Sequence, residues 1–228
     1  MKPQAQPPVT GAKPARILVV DDHPMVRERL AEAINRERDL KVCGEAEDNR
    51  HAMDLIANVK PDMAVIDLSL KGSYGLELLK DIRARHPTVL VLVLSMHEES
   101  LFAERAIRAG ARGYITKQEA TKKIIQAIRR VLGGEFYLGE KTALQLASLL
   151  AGHTRPSSPP GIDGLSDREL EVLELIGQGR NTRQVAEKLG VDIKTIETYR
   201  GRIKEKLHLK NASELLHFAV QWIYGGAR

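Results

Sequence analysis

The segment Arg16-Ile17-Leu18-Val19-Val20-Asp21-Asp22 decides the fold of the first half of the chain, because a short apolar run ends abruptly in two carboxylates. A continuous apolar run of this length is typical of a strand buried on both faces of a parallel sheet. Further apolar runs are followed in the same way by Asp67, Ser95 and Lys117. In open α/β folds, strands that end at one edge of the sheet place their last residues around a binding site.

Apolar runs and helical patterns alternate from residue 16 to about residue 132, which predicts a five-stranded parallel, doubly wound α/β domain at 16–134. The predicted strands are 16–20, 40–46, 62–66, 89–94 and 113–116. The predicted helices are 24–37, 49–59, 75–86, 98–109 and 120–132. Residues 1–15 are rich in proline and are expected to form a disordered tail.

A second, all-α domain of four helices is predicted at 165–228, after a linker at 135–164 with a candidate short helix at 140–151. Capping boxes begin at Ser166, Asn181 and Asn211, and Asp192 can cap a further helix. The predicted helices are 167–178, 182–189, 193–208 and 212–224. Only Gly190-Val191-Asp192 separates the second helix from the third, which indicates a helix-turn-helix.

Composition narrows the classes of function. The formal net charge of +5 and the pI near 9.3 permit a nucleic-acid partner without proving one, and basic residues concentrate between Lys194 and Lys210. The single cysteine, Cys43, excludes an internal disulfide and any multi-cysteine metal site. No apolar run approaches the length of a membrane span, so we expect a soluble, cytoplasmic protein without a membrane partner.

The three aspartates have the chemistry of a Mg²⁺ site, because this ion prefers oxygen ligands and is usually held by carboxylates together with phosphate oxygens. A carboxylate in such a site can attack phosphorus, while the ammonium of Lys117 and the hydroxyl of Ser95 neutralise charge on the transferred group. A single aspartate after a strand suits a helix cap equally well, as Asp22 does before His23-Pro24. Recurrence at several strand ends favours the phosphoryl-group site. His23, His86 and His97 lack metal-ligand spacing and are interpreted as surface groups.

Four segments resemble a two-component receiver domain: Val19-Val20-Asp21-Asp22-His23-Pro24, Asp67-Leu68-Ser69-Leu70, Leu94-Ser95-Met96-His97 and Gly110-Ala111-Arg112-Gly113-Tyr114-Ile115-Thr116-Lys117. The capped helices between Leu165 and Arg200 resemble the LuxR-type helix-turn-helix. Together they make the chain resemble a NarL/FixJ-type response regulator over nearly its whole length, excepting the tail and the linker, with the two parts in the order typical of that family.

The resemblance implies a phosphorylation-activated transcriptional regulator, not an enzyme, with a sensor histidine kinase, double-stranded DNA, a second copy of the chain and RNA polymerase as candidate partners. Asp67 would accept the phosphoryl group. The Mg²⁺ ligands would be Asp21, Asp22, Asp67 and the backbone carbonyl of Ser69. Ser95 and Lys117 would contact the phosphoryl oxygens, and Tyr114 would be the aromatic switch residue.

Two positions depart from the receiver pattern. Lys71 stands where many receivers have proline, and Gln118 follows Lys117 where many have a cis-proline. A cis bond before a residue other than proline costs about 3 kcal/mol, so we expect a trans peptide here. Both departures affect loop geometry and hence the dephosphorylation rate, but neither removes a reacting group.

The third helix of the second domain has a packing face, formed by Ile196, Tyr199, Ile203 and Leu207, and an opposite face that we expect to enter the major groove. Base contacts are expected from Glu197 and Thr198, with Lys194 close by. Glu197 would either accept from cytosine N4 or orient a cation that reads a base. Phosphate contacts are expected from Thr195, Arg200, Arg202, Lys204 and Lys206.

Gly201 and Trp222 each allow two interpretations. A glycine in the middle of a helix costs about 1 kcal/mol relative to alanine, so Gly201 either lets DNA approach the backbone or relieves crowding against another helix. Trp222 lies in a fourth helix that is more apolar than one small core needs, and it belongs either to that core or to a two-fold dimer surface.

Two rival functions use the same residues. A Mg²⁺-dependent phosphohydrolase would form an aspartyl phosphate on the acidic trio, but the compact first domain has no insertion from which to build a substrate pocket. Alternatively, the helical domain is a protein-interaction module, in which case binding to duplex DNA would not depend on salt.

Overall fold

The computed structural model describes residues 13–70, 75–95, 100–139, 142–144, 147 and 161–224. Its parallel sheet has six strands in the order β2-β1-β3-β4-β5-β6. The strands are β1 (Ala15–Val20), β2 (Leu40–Ala46), β3 (Met63–Asp67), β4 (Leu90–Ser95), β5 (Gly113–Thr116) and β6 (Tyr137–Leu138). The first five confirm the predicted strands to within one residue at each end.

The sixth strand corrects the prediction of a five-stranded sheet. Tyr137 and Leu138 pair in parallel with Gly113 and Tyr114, within the segment that was predicted to be linker. Tyr137 is only 5% exposed, and the guanidinium of Arg130 lies 5.5 Å from the centre of its ring. Two residues are too few to show an apolar pattern in sequence, so this strand depends on packing that only the folded domain provides.

Five helices cover the two faces of the sheet: α1 (Pro24–Asn35), α2 (Asn49–Val59), α3 (Gly75–Arg85), α4 (Ser100–Ala109) and α5 (Lys117–Leu132). Alternate residues of β1 face two separate cores, Ile17 and Val19 on the side of α1 and α5, and Leu18 and Val20 on the side of α2, α3 and α4. The sheet is therefore doubly wound, as predicted.

Helix α5 begins at residue 117, three residues before its predicted start. Thr116 explains the difference, because its Oγ1 accepts a hydrogen bond from the backbone N–H of Glu119 at 3.2 Å and so caps the helix. The earlier start places Lys117 on the first turn of α5, directly after β5. The described residues contain no cis peptide bond, which agrees with the trans bond expected at Gln118.

The second domain consists of α6 (Asp167–Gly177), α7 (Thr182–Leu189), α8 (Ile193–Lys206) and α9 (Ala212–Tyr224). These confirm the four predicted helices to within two residues at each end. Reciprocal capping boxes open α6 and α7, and Asp192 caps α8 through the N–H of Thr195 at 2.7 Å. Gly190 ends α7 with φ 65°, a left-handed conformation that favours glycine and turns the chain sharply into α8.

Several predictions fall wholly or partly outside the described residues. These are the tail up to residue 12, the segment around Lys71, residues 96–99, and most of the linker. Of the candidate helix at 140–151, residues 142–144 and 147 are helical. Within the described part of the chain, no helix has the length and apolar character needed to span a membrane.

The two domains pack against each other through α4 and α9. The rings of Phe102 on α4 and Trp222 on α9 have their centroids 6.3 Å apart, and Trp222 is only 7% exposed. Trp222 is therefore part of an apolar core shared between the domains. The exposed apolar side chains of α9 are instead Leu216, Val220 and Tyr224. The assignment of Trp222 to a dimer surface stays a prediction.

Polar contacts join the same two domains through three residues, Lys80, Arg105 and Asp167, which we call the interdomain clasp. Arg105 donates to Asp167 Oδ1 at 2.8 Å, and Lys80 Nζ donates to Asp167 Oδ2 at 2.9 Å. Arg105 also donates to the carbonyl oxygen of Leu165 at 2.8 Å. Burial opposes ionisation of Asp167, but the hydrogen bonds from Lys80 and Arg105 bring the pKa of its carboxyl below the ordinary value.

Candidate metal centre and nucleic-acid interface

The predicted acidic residues meet at the carboxyl edge of the sheet. Asp21 follows β1 and Asp67 ends the neighbouring strand β3, so the register of the two strands brings the carboxylates together. Candidate ligand atoms of Asp21, Asp22, His23 and Asp67 all lie within 4.8 Å of one another. Asp21 and Asp67 are 0% and 1% exposed. We call Asp21, Asp22 and Asp67 the acidic cluster.

Lys117 balances part of the charge of this cluster. Its Nζ lies 2.6 Å from Asp21 Oδ2 and 2.7 Å from Asp67 Oδ2. Burial by itself lowers the pKa of Lys117, but the charges of Asp67 and Asp21 outweigh burial, so the pKa lies above its ordinary value. Burial raises the pKa of Asp67 despite the nearby ammonium, and the like charge of Asp21 adds to the rise. The ionic contacts between Lys117 and the two aspartates are therefore strong, because little water is present to screen them.

Asp22 shows that a divalent cation fits this cluster. Its Oδ1 is buried and accepts no hydrogen bond within the described part of the chain. The nearby His23 Nδ1, at 2.8 Å, lies in a geometry that does not form one. A buried carboxylate oxygen that accepts no hydrogen bond is costly, and a metal ion would remove that cost. Oxygen donors on three carboxylates match the preference of Mg²⁺.

His23 is a contact of this cluster that the sequence analysis missed. Its side chain is half exposed, as expected of a surface group, yet its backbone N–H donates to Asp21 Oδ1 at 2.8 Å. Its ring Nδ1 lies 3.1 Å from the same oxygen. The available signal was its position two residues after Asp21, where a turn brings side chain and backbone together.

The other predicted receiver residues lie beside the cluster. Ser95 is buried at the end of β4 and pairs in register with Thr116, next to Lys117. The backbone N–H of Ser69 donates to Asp67 Oδ1 at 3.2 Å. Tyr114 is fully buried in β5, within the core that contains the residues of α4. The structure therefore places six of the predicted residues at the carboxyl edge, with direct contacts among Asp21, Asp67 and Lys117, and places Tyr114 in the neighbouring core.

Helix α8 has the two faces that its sequence predicted. Ile196, Ile203 and Leu207 are buried, and Tyr199 is partly buried. Lys194, Glu197, Thr198 and Gly201 share the opposite side, which we call the reading face. The first three are exposed and Gly201 is half-buried. The packing between the two domains leaves this face accessible.

Three of the predicted phosphate contacts take part in interactions within the protein. Lys206 Nζ lies 2.7 Å from Oε2 of Glu169, the residue that closes the capping box of α6. The backbone N–H of Thr195 donates to the cap Asp192, and Arg200 Nε lies 3.8 Å from Glu197 Oε1. Arg202 and Lys206 are exposed, whereas Lys204 and Arg200 are half-buried. Lys206 therefore has to leave an ion pair before it can contact a phosphate.

Gly201 is not explained by crowding. A Cβ added at this position meets no atom within 4 Å outside its own helix. Gly177 shows the contrast, because a Cβ there would lie 2.5 Å from the carbonyl oxygen of Ala219. Packing therefore does not require a glycine at position 201, and close approach of DNA to this backbone stays a prediction.

The comparisons with known families match both halves of the chain. Residues 17–129 match the family "Response regulator receiver domain", and residues 163–219 match "Bacterial regulatory proteins, luxR family". The acidic cluster thus lies in the receiver domain, and the helix-turn-helix lies in the LuxR-type DNA-binding domain. This chain belongs to the NarL/FixJ family of response regulators.

This response regulator is similar to curated proteins along most of its length. It is 34% identical over 206 residues to the "Response regulator GacA" of Pseudomonas aeruginosa, covering 90% of this chain and 95% of that one. It is 33% identical over 210 residues to the "Oxygen regulatory protein NreC" of Staphylococcus haemolyticus, covering 90% and 97%. These relatives are regulators, which favours regulation over the rival phosphohydrolase.

A solved structure shares the two-domain arrangement. RcsB from Salmonella enterica serovar Typhimurium, bound to promoter rprA in the presence of the phosphomimetic BeF3-, matches with a TM-score of 0.62 at 25% identity. The match covers 91% of this chain and 99% of that chain. The response regulator described here therefore has the receiver and helix-turn-helix architecture of a DNA-binding relative.

In this response regulator the DNA-binding domain also reaches the acidic cluster. Lys188, near the end of α7, places its Nζ 4.0 Å from Asp22 Oδ2. Asp22 thus faces a cation from the other domain, in addition to the ammonium of Lys117 beside Asp21 and Asp67. Sequence spacing offered no signal for this contact, because it joins residues far apart in the chain.

Proposed function

We propose that a sensor histidine kinase phosphorylates Asp67 and that phosphorylation controls how this protein binds DNA as a transcriptional regulator in the cytoplasm. The observation that carries the proposal is the surroundings of the Asp67 carboxylate. It lies buried at the sheet edge, beside two further carboxylates and 2.7 Å from the Lys117 ammonium. A nucleophilic carboxylate in a site with fixed cationic partners is what transfer of a phosphoryl group requires.

The residues around Asp67 have separate roles in this transfer. The P–N bond of the kinase phosphohistidine breaks as a bond from phosphorus to an Asp67 oxygen forms. Asp21, Asp22, Asp67 and the backbone carbonyl of Ser69 would hold Mg²⁺, and the ion would supply positive charge to the phosphoryl oxygens. Lys117 moves from Asp67 Oδ2 to a phosphoryl oxygen, and the Ser95 hydroxyl donates to another. Each of these groups belongs to the carboxyl edge described above.

Helix α4 provides the path from the receiver to the DNA-binding domain. It packs on β5, which carries the switch residue Tyr114, and it also carries Phe102 and Arg105. A change in the position of α4 therefore acts on the Trp222 contact and on the interdomain clasp together. We propose that phosphorylation shifts an existing equilibrium between docked and undocked domains, which is how local charge changes produce global responses.

Release of α9 would favour a homodimer on DNA. Leu216, Val220 and Tyr224 follow one another at intervals of four residues and are exposed even in the docked arrangement. Undocking would also expose Trp222, which lies on the opposite side of the same helix. A two-fold dimer through α9 would place two copies of α8 in successive major grooves, with RNA polymerase as the machinery that the bound regulator affects.

The acceptor assignment is tested with acetyl phosphate and Mg²⁺. Asp67→Asn is expected to abolish covalent labelling, measured by the intact mass of the protein, because an amide is not a nucleophile toward phosphorus. Asp54→Asn is the matched control, since Asp54 is an exposed carboxylate on α2. Labelling of the Asp67 variant at the wild-type level would refute the assignment.

DNA binding is tested by its dependence on salt. A regulator that contacts phosphates through Arg202, Lys204 and neighbouring cations loses affinity steeply as salt rises, because binding releases counterions. We expect a linear fall of log affinity with log salt for duplex DNA, measured by fluorescence anisotropy. A flat response would favour the protein-interaction module.

A further inference from the structure

A carboxylate occupies the middle of the reading face. Glu197 lies one turn after Lys194 and beside Thr198, and its side chain is 57% exposed. A negative charge that faces the phosphate backbone of DNA weakens binding unless it makes a specific contact. The position of Glu197 therefore requires a function that offsets this repulsion.

Glu197 is held in place by the helix that precedes α8. Thr182 Oγ1, at the first residue of α7, donates to Glu197 Oε1 at 3.0 Å. The N-terminal end of α7 also favours a negative charge nearby, because the first backbone N–H groups of a helix give that end a partial positive charge. Among the described residues, the contacts of Glu197 are made by Oε1, which leaves Oε2 as the acceptor for a base.

The surroundings of Arg200 decide between the two interpretations of Glu197. Arg200 places its Nε 3.8 Å from Glu197 Oε1, but its side chain is only 18% exposed. A largely covered guanidinium beside the packing face is poorly placed to read a base. The base-reading role therefore falls to Glu197 itself rather than to Arg200.

Thr198 adds a second, apolar element to the reading face. Its hydroxyl donates to the backbone carbonyl of Lys194 at 3.0 Å. The hydroxyl proton is therefore used inside the helix, and the exposed methyl group is what the side chain offers to DNA. A methyl group matches the C5-methyl of thymine in the major groove.

We propose that Thr182 is a positioning residue that fixes Glu197 to select cytosine, and that Thr198 favours a neighbouring thymine in each half-site. The proposal rests on the proposed function, in which α8 enters the major groove. A carboxylate only accepts hydrogen bonds, so it suits the N4 amino group of cytosine and is repelled by the acceptors of guanine and by thymine O4. Adenine offers an N6 donor, but its N7 acceptor lies beside that donor and repels the second carboxylate oxygen.

The experiment measures base preference with the full chain. Sequence selection from a randomised duplex pool gives the wild-type profile, and anisotropy titrations with single-base variants of the best duplex give affinity ratios. For the wild type we expect cytosine to exceed every other base at one position per half-site by about fivefold or more. Thr182→Val keeps the shape of the side chain but removes the hydroxyl, and it should reduce this ratio to below about twofold.

Two further variants separate positioning from folding. Thr182→Ser keeps the hydroxyl and should restore the cytosine preference, which general damage to α7 would not allow. Glu197→Gln should move the preference from cytosine to adenine, because glutamine both accepts from N6 and donates to N7. Far-ultraviolet circular dichroism of each variant confirms that the helices are intact.

The outcomes distinguish this inference from the proposed function. If the wild type binds no duplex DNA with sequence preference, both are overturned. If it binds with preference but Thr182→Val has the wild-type profile, or Glu197→Gln still selects cytosine, only the present inference is overturned. A loss of affinity that is equal for all bases at every position would also overturn it, because positioning of one acceptor acts on one base pair.

Discussion

The acidic cluster and the reading face carry their charges in opposite physical settings. Asp21 and Asp67 are almost completely buried and contact Lys117 at 2.6 and 2.7 Å. Lys194 and Glu197 lie on an exposed helix face. Charges out of water interact strongly and tolerate little change, whereas exposed charges are weakened by solvent and salt. The receiver site is therefore built for a switch with two states, and the reading face is built for graded discrimination among sequences.

The largest expected effect is at Lys117, which tests the claim that the acidic cluster depends on burial. Lys117→Met leaves two buried carboxylates without their shared cation, and breaking a buried pair in this way costs about 3 kcal/mol. We expect a lower midpoint of thermal unfolding without Mg²⁺, and partial recovery when Mg²⁺ is added, because the metal ion replaces the missing charge.

Lys123→Met is the control on the same helix. Its ammonium is half exposed and lies 3.8 Å from Glu119, so its removal should change stability by well under 1 kcal/mol. Equal unfolding midpoints for the two variants would contradict the contrast between buried and exposed charge.

The second-largest expected effect is at the interdomain clasp, whose carboxylate is intermediate in exposure between the acidic cluster and the reading face. Asp167 is about one-fifth exposed, so removing its charge should weaken docking by about 1 kcal/mol. Trp222 is the single tryptophan of the chain and lies in the interface, so its emission reports docking directly. Asp167→Asn is expected to shift this emission toward longer wavelength as water reaches the ring.

Arg105→Gln separates docking from helix stability. It removes the same contact from the receiver side without altering the first turn of α6, where Asp167 also favours the helix dipole. Glu187→Gln, at an exposed position of α7, is the control. An unchanged emission in both clasp variants would show that apolar packing alone holds the domains.

Gly201 allows the stability of α8 to be compared with DNA binding at one position of the reading face. Gly201→Ala should stabilise α8 by about 1 kcal/mol, because the added methyl meets no neighbour and alanine is the better helix former. The same methyl should weaken DNA binding several-fold if the backbone approaches DNA closely. Thermal unfolding and anisotropy are measured on the same samples. Stronger folding with undiminished DNA binding would contradict the close approach.

The smallest expected effect is at Lys188, where the DNA-binding domain contacts the acidic cluster. Its ammonium is partly exposed and lies 4.0 Å from Asp22, so it competes weakly with a divalent cation. Lys188→Ala should raise Mg²⁺ affinity by up to about fivefold, the range of a surface ion pair, measured by calorimetric titration. Arg183→Ala, exposed on the same helix, should leave it unchanged. Equal Mg²⁺ affinities of the wild type, Lys188→Ala and Arg183→Ala would show that the contact between Lys188 and Asp22 has no influence on metal binding.

The sequence predicted features that depend on local order and missed those that depend on tertiary packing. Asp21 and Asp67 were identifiable because apolar runs mark strand ends, and parallel strands share an edge. Strand β6 was missed because Tyr137 and Leu138 acquire their role only beside Gly113. The same applies to Lys206. In the sequence it is one of several basic residues on a basic helix, but in the fold it forms an ion pair with Glu169.

Contacts between the domains were beyond sequence reasoning for a related reason. Arg105 and Asp167 are 62 positions apart, and nothing in their local patterns indicates that they meet. Trp222 illustrates the consequence, because its helix was correctly predicted while its partner, Phe102, lies in the other domain. Where a helix begins and ends depends on nearby residues in the sequence. The surface against which it packs depends on residues far away in the chain.

The accessibility of α8 in the docked arrangement has a consequence for timing. Under the proposed function, a molecule that has not yet received its signal still presents an exposed cationic helix, so it would associate loosely with the chromosome and slide along it. The search for the target then begins before the stimulus arrives. What the stimulus changes is the residence of the molecule at the correct site, and the response need not wait for diffusion across the cell.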